Sequence, residues 1–357
     1  DFNNEFFNSF KLIDFEFINP IKEITDDDYY FKVKDEVTVN ASSKFNEAYA
    51  KEYETAKVKK DKVVSDFDYR SGNKSYYSPS SNEYVNITFE KYNDYDYRNI
   101  DEIEQSIRNS IKNTTGLLIT NKATSNKGGI YTYTCTLKDT ATTRMMDVKI
   151  FFKNGVMHEI IAPYDSIIGL RGWTKDFMSS FTPKDTVVGK NIFENKFTTL
   201  LKDLSSNDTV VRQRANTSLL NSISMNKAYV DEFVKFIGSK DLGLVNEDSR
   251  AQLFVNGGTM NSNKIIEPYK NLYKQYTDSF YLQLCVLKGL AYLKTPTSFQ
   301  TFNNLILNET PLVGDVSIVS DVFAVLHDSL ELCKSFFPGI MVLTKYDEYK
   351  DRQHAFR

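Results

Sequence analysis

Beyond Val188 the alternation of apolar and polar residues that marks strands stops, and apolar residues recur at helical spacing for the rest of the chain. The segments IFENKFTTLLKDL, DTVVRQRANTSLLNSI, NKAYVDEFVKFIG, EDSRAQLFVNG, NKIIEPYKNLYKQY, SFYLQLCVLKGLAYL, SFQTFNNLILNE and VSDVFAVLHDSLELCKSFF follow one another. Each is long enough for about three or four turns, and the short loops between them open with Ser, Asn, Asp or Thr, the preferred helix caps. Short helices cannot bury an apolar stripe alone, so such a run must stack on itself.

The joint at Leu200 to Ile223 illustrates the unit. Leu204 closes one helix and Asp208 caps the next, whose buried stripe is Val211, Ala215 and Leu219, with Arg212 and Arg214 in its first turns. Asp208, Asp248 and Asp278 recur at the starts of helices at spacings of 40 and 30 residues, and small residues (Ala215, Ala251, Gly289) stand at packed positions. The pattern resembles an irregular HEAT-type array, an α-solenoid over residues 188–357. Such stacks present long surfaces and seldom hold a deep pocket, so a protein partner is expected there, with Arg212 and Arg214 as candidate contacts.

Residues 26–186 read differently, as an α+β domain of antiparallel sheet with flanking helices. DDYYFKVK, EYVNITFEKY and IYTYTCTL alternate at period two, and RMMDVKIFFKNGVMHEIIAPYD is a hairpin turning at Asn154-Gly155. Ile100, Ile103, Ile107 and Ile111 share one face of a helix that Gly116 stops. Trp173, Phe177 and Phe181 stripe a second helix that Pro183 ends. Residues 42–82, rich in Lys, Tyr, Ser and Asn, read as a short polar helix and an exposed polar loop.

The opening FNNEFFNSFKLID matches the second helix in register: Phe2, Glu5, Phe6, Ser9, Phe10 and Asp14 correspond to Trp173, Asp176, Phe177, Ser180, Phe181 and Asp185. Residues 1–22 are therefore expected to be the tail of a preceding copy of the sheet domain. Beginning without Met inside an aromatic pattern, the chain reads as a piece of something larger.

The residues that carry chemistry are sparse. With only three histidines, His158, His327 and His354, and no acid clusters around them at ligand spacing, no metal site is expected, and no motif calls for a cofactor. Cys135, Cys285 and Cys333 are too far apart for a zinc pattern and odd in number for a disulfide framework. Phosphate-loop, dinucleotide and nucleophile-elbow patterns are missing, so no catalytic residue is assigned. A net charge of -3 argues against nucleic acid, and no apolar run is long enough to span a bilayer. Two polar stretches stand out. Asp139 and Arg144, in the cluster KDTATTRMMD, could orient a ligand together with His158, or simply close their own loop. YNDYDYR, Tyr92 to Arg98, offers stacking rings beside acidic neighbours.

LKDTATTRMMDVKIFFKNGVMHEIIAPYD, WTKDFMSSFTPKDTVVGKNIFENKFTTLLKDLSSNDTVVRQRA and HDSLELCKSFFPGIMVLTKYDEYKD together resemble the long C-terminal extension of Bacteroidetes envelope proteins of the TraB/GumN family. The resemblance covers about residues 115–351 and lies in motif order and spacing. It implies a periplasmic or envelope location in a Gram-negative bacterium and an accessory role beside an upstream hydrolase-like module, whose Gly-rich and His-containing motifs are not in this chain. The expectation is a non-enzymatic interaction or scaffold module, or alternatively a ligand-binding accessory domain of such a hydrolase-like protein.

Overall fold

Asn154 takes a left-handed backbone (φ 53°), which Asn tolerates better than most residues, and with Gly155 it reverses the chain in two residues. Strands β7 (Arg144–Lys153) and β8 (Val156–Asp165) consequently pair rung for rung, from Lys153 opposite Val156 to Arg144 opposite Asp165. The computed structural model describes residues 20–36, 69–78, 81–112, 116–220, 225–312 and 316–350. Its contacts divide the chain into two units, residues 1–94 with 98–194, and residues 95–97 with 195–357.

In the first unit the β7–β8 hairpin sits inside a six-stranded antiparallel sheet. Its order is β3 (Arg70–Ser78), β4 (Glu83–Lys91), β8, β7, β6 (Ile130–Asp139) and β5 (Leu117–Lys127). Strands β1 (Ile21–Asp26), β2 (Phe31–Glu36) and β9 (Thr182–Pro183) form a second, three-stranded antiparallel sheet. The unit is α+β, as the alternation predicts.

Both faces of the large sheet carry apolar residues, one face for each parity of its strands. On the first face, Val85 and Ile87 of β4 and Ile160 and Ala162 of β8 pack against Phe31 and Val33 of β2 and against helix α2 (Gly172–Ser180), through Trp173, Phe177 and Met178. On the opposite face, Tyr131, Tyr133, Cys135 and Leu137 of β6 and Val148, Ile150 and Phe152 of β7 meet Ile103 of helix α1 (Ile100–Lys112) and Ile192. Ile100 and Ile107 pack beside Ile103. The side chain of Ile111 lies outside the described ones.

Two strands depart from the sequence reading. The described part of the stretch 42–82 is not loop: Arg70–Ser78 is edge strand β3, paired over its length with β4. Inward Tyr76 packs on the apolar core, and polar groups meet three other inward positions. Lys74 ion-pairs with Asp26, the Arg70 guanidinium donates to the Asp28 carbonyl, and Ser78 Oγ donates to Glu36 at 3.0 Å. Ile21 and Lys22, assigned to a preceding repeat, begin β1 and pair with Glu36 and Asp35. The remainder of residues 1–19, and with it the tandem-copy reading, lies outside the described residues.

The second unit is helical among the described residues, and its helices follow the predicted segments except the last, VSDVFAVLHDSLELCKSFF, which breaks after His327. They are α3 (Phe197–Leu204), α4 (Thr209–Leu220), α5 (Val230–Ile237), α6 (Glu247–Gly257), α7 (Ile266–Gln275), α8 (Phe280–Tyr292), α9 (Pro296–Asn308) and α10 (Val316–His327), then short helices α11 (Leu330–Cys333) and α12 (Asp347–Lys350). The first starts later than the pattern suggested, because Ile192 and Phe193 pack into the sheet unit instead. Asp208 caps α4 as expected, accepting from the Val210 and Val211 amides at 2.8 and 3.3 Å. Asp248 stands in the first turn of α6 and Asp278 just before α8, at the helix starts as read, and the caps there are Asn246 and Ser279.

Helix α8 is apolar almost all round, the composition of a helix with neighbours on every side. It packs on α6, α7, α9 and α10. At its crossing with α6 the backbones touch: a Cβ on Gly289 would stand 2.2 Å from the Phe254 carbonyl oxygen, and one on Gly258 would stand 2.1 Å from that of Gly289. Gly289→Ala should therefore force α6 and α8 apart and cost about 1–3 kcal/mol. Urea unfolding checks this as a lower midpoint at unchanged slope; an unaltered midpoint would mean the crossing is not tight.

Candidate functional site

Among the described residues the second face of the large sheet is incompletely covered, and the candidate site lies there. Helix α1 approaches the sheet mainly along β5. Between α1 and the floor formed by β6, β7 and β8 is a cavity of about 550 Å³. Its walls are apolar: Ile103 and Ile107 of α1, Leu117, Leu137, and Met146, Val148, Ile150 and Phe152 of β7, with Met157 and Ile161 of β8. The volume falls in the range of small-molecule pockets, which combine mostly apolar walls with a few placed polar groups.

Those polar groups are Glu90, Tyr92, Arg98, Glu102 and Glu159. Sheet register sets the first and last of them side by side. Glu90 of β4 pairs with Met157, and Thr88 pairs with Glu159. Glu90 and Glu159 thus occupy diagonal positions on adjacent strands, facing the same side, with backbones about 7–8 Å apart. Burial raises the Glu159 carboxyl above its ordinary range, and the neighbouring Glu90 charge pushes it the same way. Tyr92 closes this end. Its hydroxyl points at Met157 Sδ, 3.6 Å away, and burial and the Glu90 charge raise it as well. The Arg98 guanidinium lies over the Tyr92 ring, 5.7 Å from its centre. Such an end can hold a proton on Glu159 or accept N–H donors from a guest. Among the described residues no group of three or more His, Cys, Asp or Glu is placed to hold a metal ion, and all three cysteines are free thiols.

The three residues grouped from sequence do not converge. Asp139 and Arg144 flank the exposed β6–β7 turn, where Asp139 accepts from the Ala141 amide at 2.8 Å and the Thr142 hydroxyl at 2.7 Å. The Thr142 hydrogen bond, then that of Ala141, holds the Asp139 carboxyl below its usual value. Arg144 stands opposite Asp165 at the strand end. His158 lies at the other end of β8, seven residues away or about 23 Å along an extended strand. It is 1% exposed, on the first face. The rings of Phe31, Phe89 and Phe181 surround it, and Nε2 donates to the Tyr29 carbonyl at 2.6 Å. A carbonyl can only accept, so Nε2 carries the hydrogen and Nδ1 is unprotonated. In the helical unit, Arg212 is half-buried and donates to the Ser206 carbonyl, while Arg214 is exposed.

Tyr92 and Arg98 belong to the YNDYDYR stretch that the sequence singles out; Glu90, Glu102 and Glu159 escaped it. One signal existed: Glu159 interrupts an apolar row at period two, between Met157 and Ile161. Set against known proteins, the chain matches no protein-family profile and no curated protein.

The histidine core makes a pH prediction. Burial lowers the His158 pKa from 6.5 to about 4, against smaller opposing effects of the Tyr29 carbonyl and the Asp26 charge. Between those values the unfolded chain binds a proton that the folded chain refuses, so folding stability falls as the pH drops through this window. The loss approaches about 3 kcal/mol near the lower value. His158→Gln retains a donor for Tyr29 and cannot titrate. Its unfolding free energy should fall less than the wild type's between pH 7 and 4.5; parallel curves would refute the assignment.

Proposed function

We propose that this chain is a non-enzymatic binding module whose sheet unit takes up a small, mainly apolar molecule. The cavity between α1 and the β6–β8 floor carries this reading: a stable sheet face would ordinarily be filled, and here ten apolar side chains surround about 550 Å³ with polar groups gathered among them. The environment-sensitive neutral dye Nile red provides the test. It should bind with enhanced fluorescence, and Met146→Trp, which places an indole in the cavity from a half-buried strand position, should weaken binding about tenfold or more with an unchanged circular dichroism spectrum. Equal binding by both proteins would remove the cavity from consideration.

A second reading concerns the helical unit, taken as an irregular HEAT-like array that docks a protein partner. Exposed apolar side chains favour it, among them Val210 (54% exposed) on α4 and Phe337 (63% exposed) near α11. Arg214, also on α4, is the more exposed of the two candidate arginines. Arg214→Glu should then abolish cross-links from this helix to a partner in an envelope extract, and their persistence would count against α4 as the docking face. The motif order that resembles the C-terminal extension of TraB/GumN envelope proteins fits both readings. What that resemblance implies is an accessory or scaffold part beside an upstream hydrolase-like module at the envelope of a Gram-negative bacterium. No described helix is long and apolar enough to cross a membrane.

A further inference from the structure

Resting on the ligand-binding reading of the sheet unit, we propose that the cavity selects an amphipathic amine, with its apolar body on the β7–β8 floor and its ammonium group between Glu90 and Glu159. Three observations lead there. Most of the wall away from β4 is hydrocarbon and thioether, from Ile103 and Ile107 across Leu137 to Met146 and Val148, and it rewards an apolar body. The charged lining residues are Glu90, Glu102 and Glu159 against Arg98, three acids to one base, so an anionic head would enter a site already negative. The single base of the lining, Arg98, has its guanidinium over the Tyr92 ring, 5.7 Å from the centre.

The position of Glu159 gives the selection its strength. It projects from a central strand, flanked on its own face by Met157 and Ile161, and its nearest charged neighbour across the register is another carboxylate. A neutral guest would bury this pair further without compensating it, which is costly for like charges in an apolar surround. An ammonium supplies up to three N–H donors and the opposite charge at the same point. The direction of the Glu159 shift agrees, because a carboxyl that resists ionisation when the cavity is empty gains most from a cation.

Isothermal titration of the full chain with three probes of matched body, 4-phenylbutylamine, 4-phenylbutan-1-ol and 4-phenylbutanoate, tests the proposal. The amine should bind about tenfold or more tighter than the alcohol, with the carboxylate weakest. Glu159→Gln, and separately Glu90→Gln, should shrink the amine-to-alcohol ratio toward one; because the readout is a ratio within one protein, a modest loss of stability in either variant does not confuse it. Equal binding of amine and alcohol, both lost in Met146→Trp, would overturn the charge selection and leave the ligand-binding reading standing. Preference for the carboxylate would overturn it in favour of Arg98 as the anchor. Failure of all three probes to bind would overturn both readings.

Discussion

A sheet that is apolar on both faces has to be covered twice, and most of the sheet unit follows from that requirement. β7 and β8 carry large apolar side chains at both parities, Phe151 against Phe152 and Ile160 against Ile161, so neither face can be left to water without exposing an apolar patch. Helix α2 and strand β2 cover the β4–β8 part of one face, with Trp173 and Phe177 fully buried there. Among the described residues helix α1 covers the other only in part. The same constraint yields a filled core on one side and a cavity on the other, and the difference is the placement of one helix against β5 instead of across the centre of the sheet.

The legible parts of the fold were those whose information is local. Asn154-Gly155 defines the central hairpin, the Trp173-Phe177-Phe181 spacing defines α2, and capped apolar stripes define nearly every helix of the second unit. β3 was illegible because Tyr76 is the one large apolar residue among its inward positions; Arg70, Lys74 and Ser78 are matched by Asp28, Asp26 and Glu36 from a part of the chain some forty residues earlier. No window of sequence contains both halves of those pairs. The candidate site has the same character. Glu90 and Glu159 are neighbours through strand register alone, a relation that becomes visible only once β4 is known to pair with β8. The polar cluster that was visible, Asp139 with Thr142, satisfies its own turn, as local polar clusters commonly do.

In the helical unit, burial again decides which residues matter. Helix α8 has apolar residues on all sides and one internal polar group, Gln283, whose Nε2 donates to the Tyr273 carbonyl at 3.0 Å. Its neighbours are held by contacts too close for any side chain at Gly258 and Gly289. Positional restraint of this kind comes from shape: backbone touching backbone fixes the crossing of α6 and α8 more narrowly than interdigitated side chains would, because there is no rotamer left to adjust.

The polar inward residues of β3 have a further consequence, for the behaviour of many copies at once. β3 is an outer strand of the large sheet, and an unpaired edge is a template on which a second chain can add. Here an added strand would have to continue a face that already presents the Lys74 ammonium and the Arg70 guanidinium, both committed to partners in the Asp26–Asp28 turn. The opposite edge, β5, breaks its own register between Thr120 and Ala123 and places Lys122 in the gap. Charge at one margin and a bulge at the other deter open-ended sheet growth, so a domain rich in aromatic strands is protected against aggregation by the same features that hid its edge from view in the sequence.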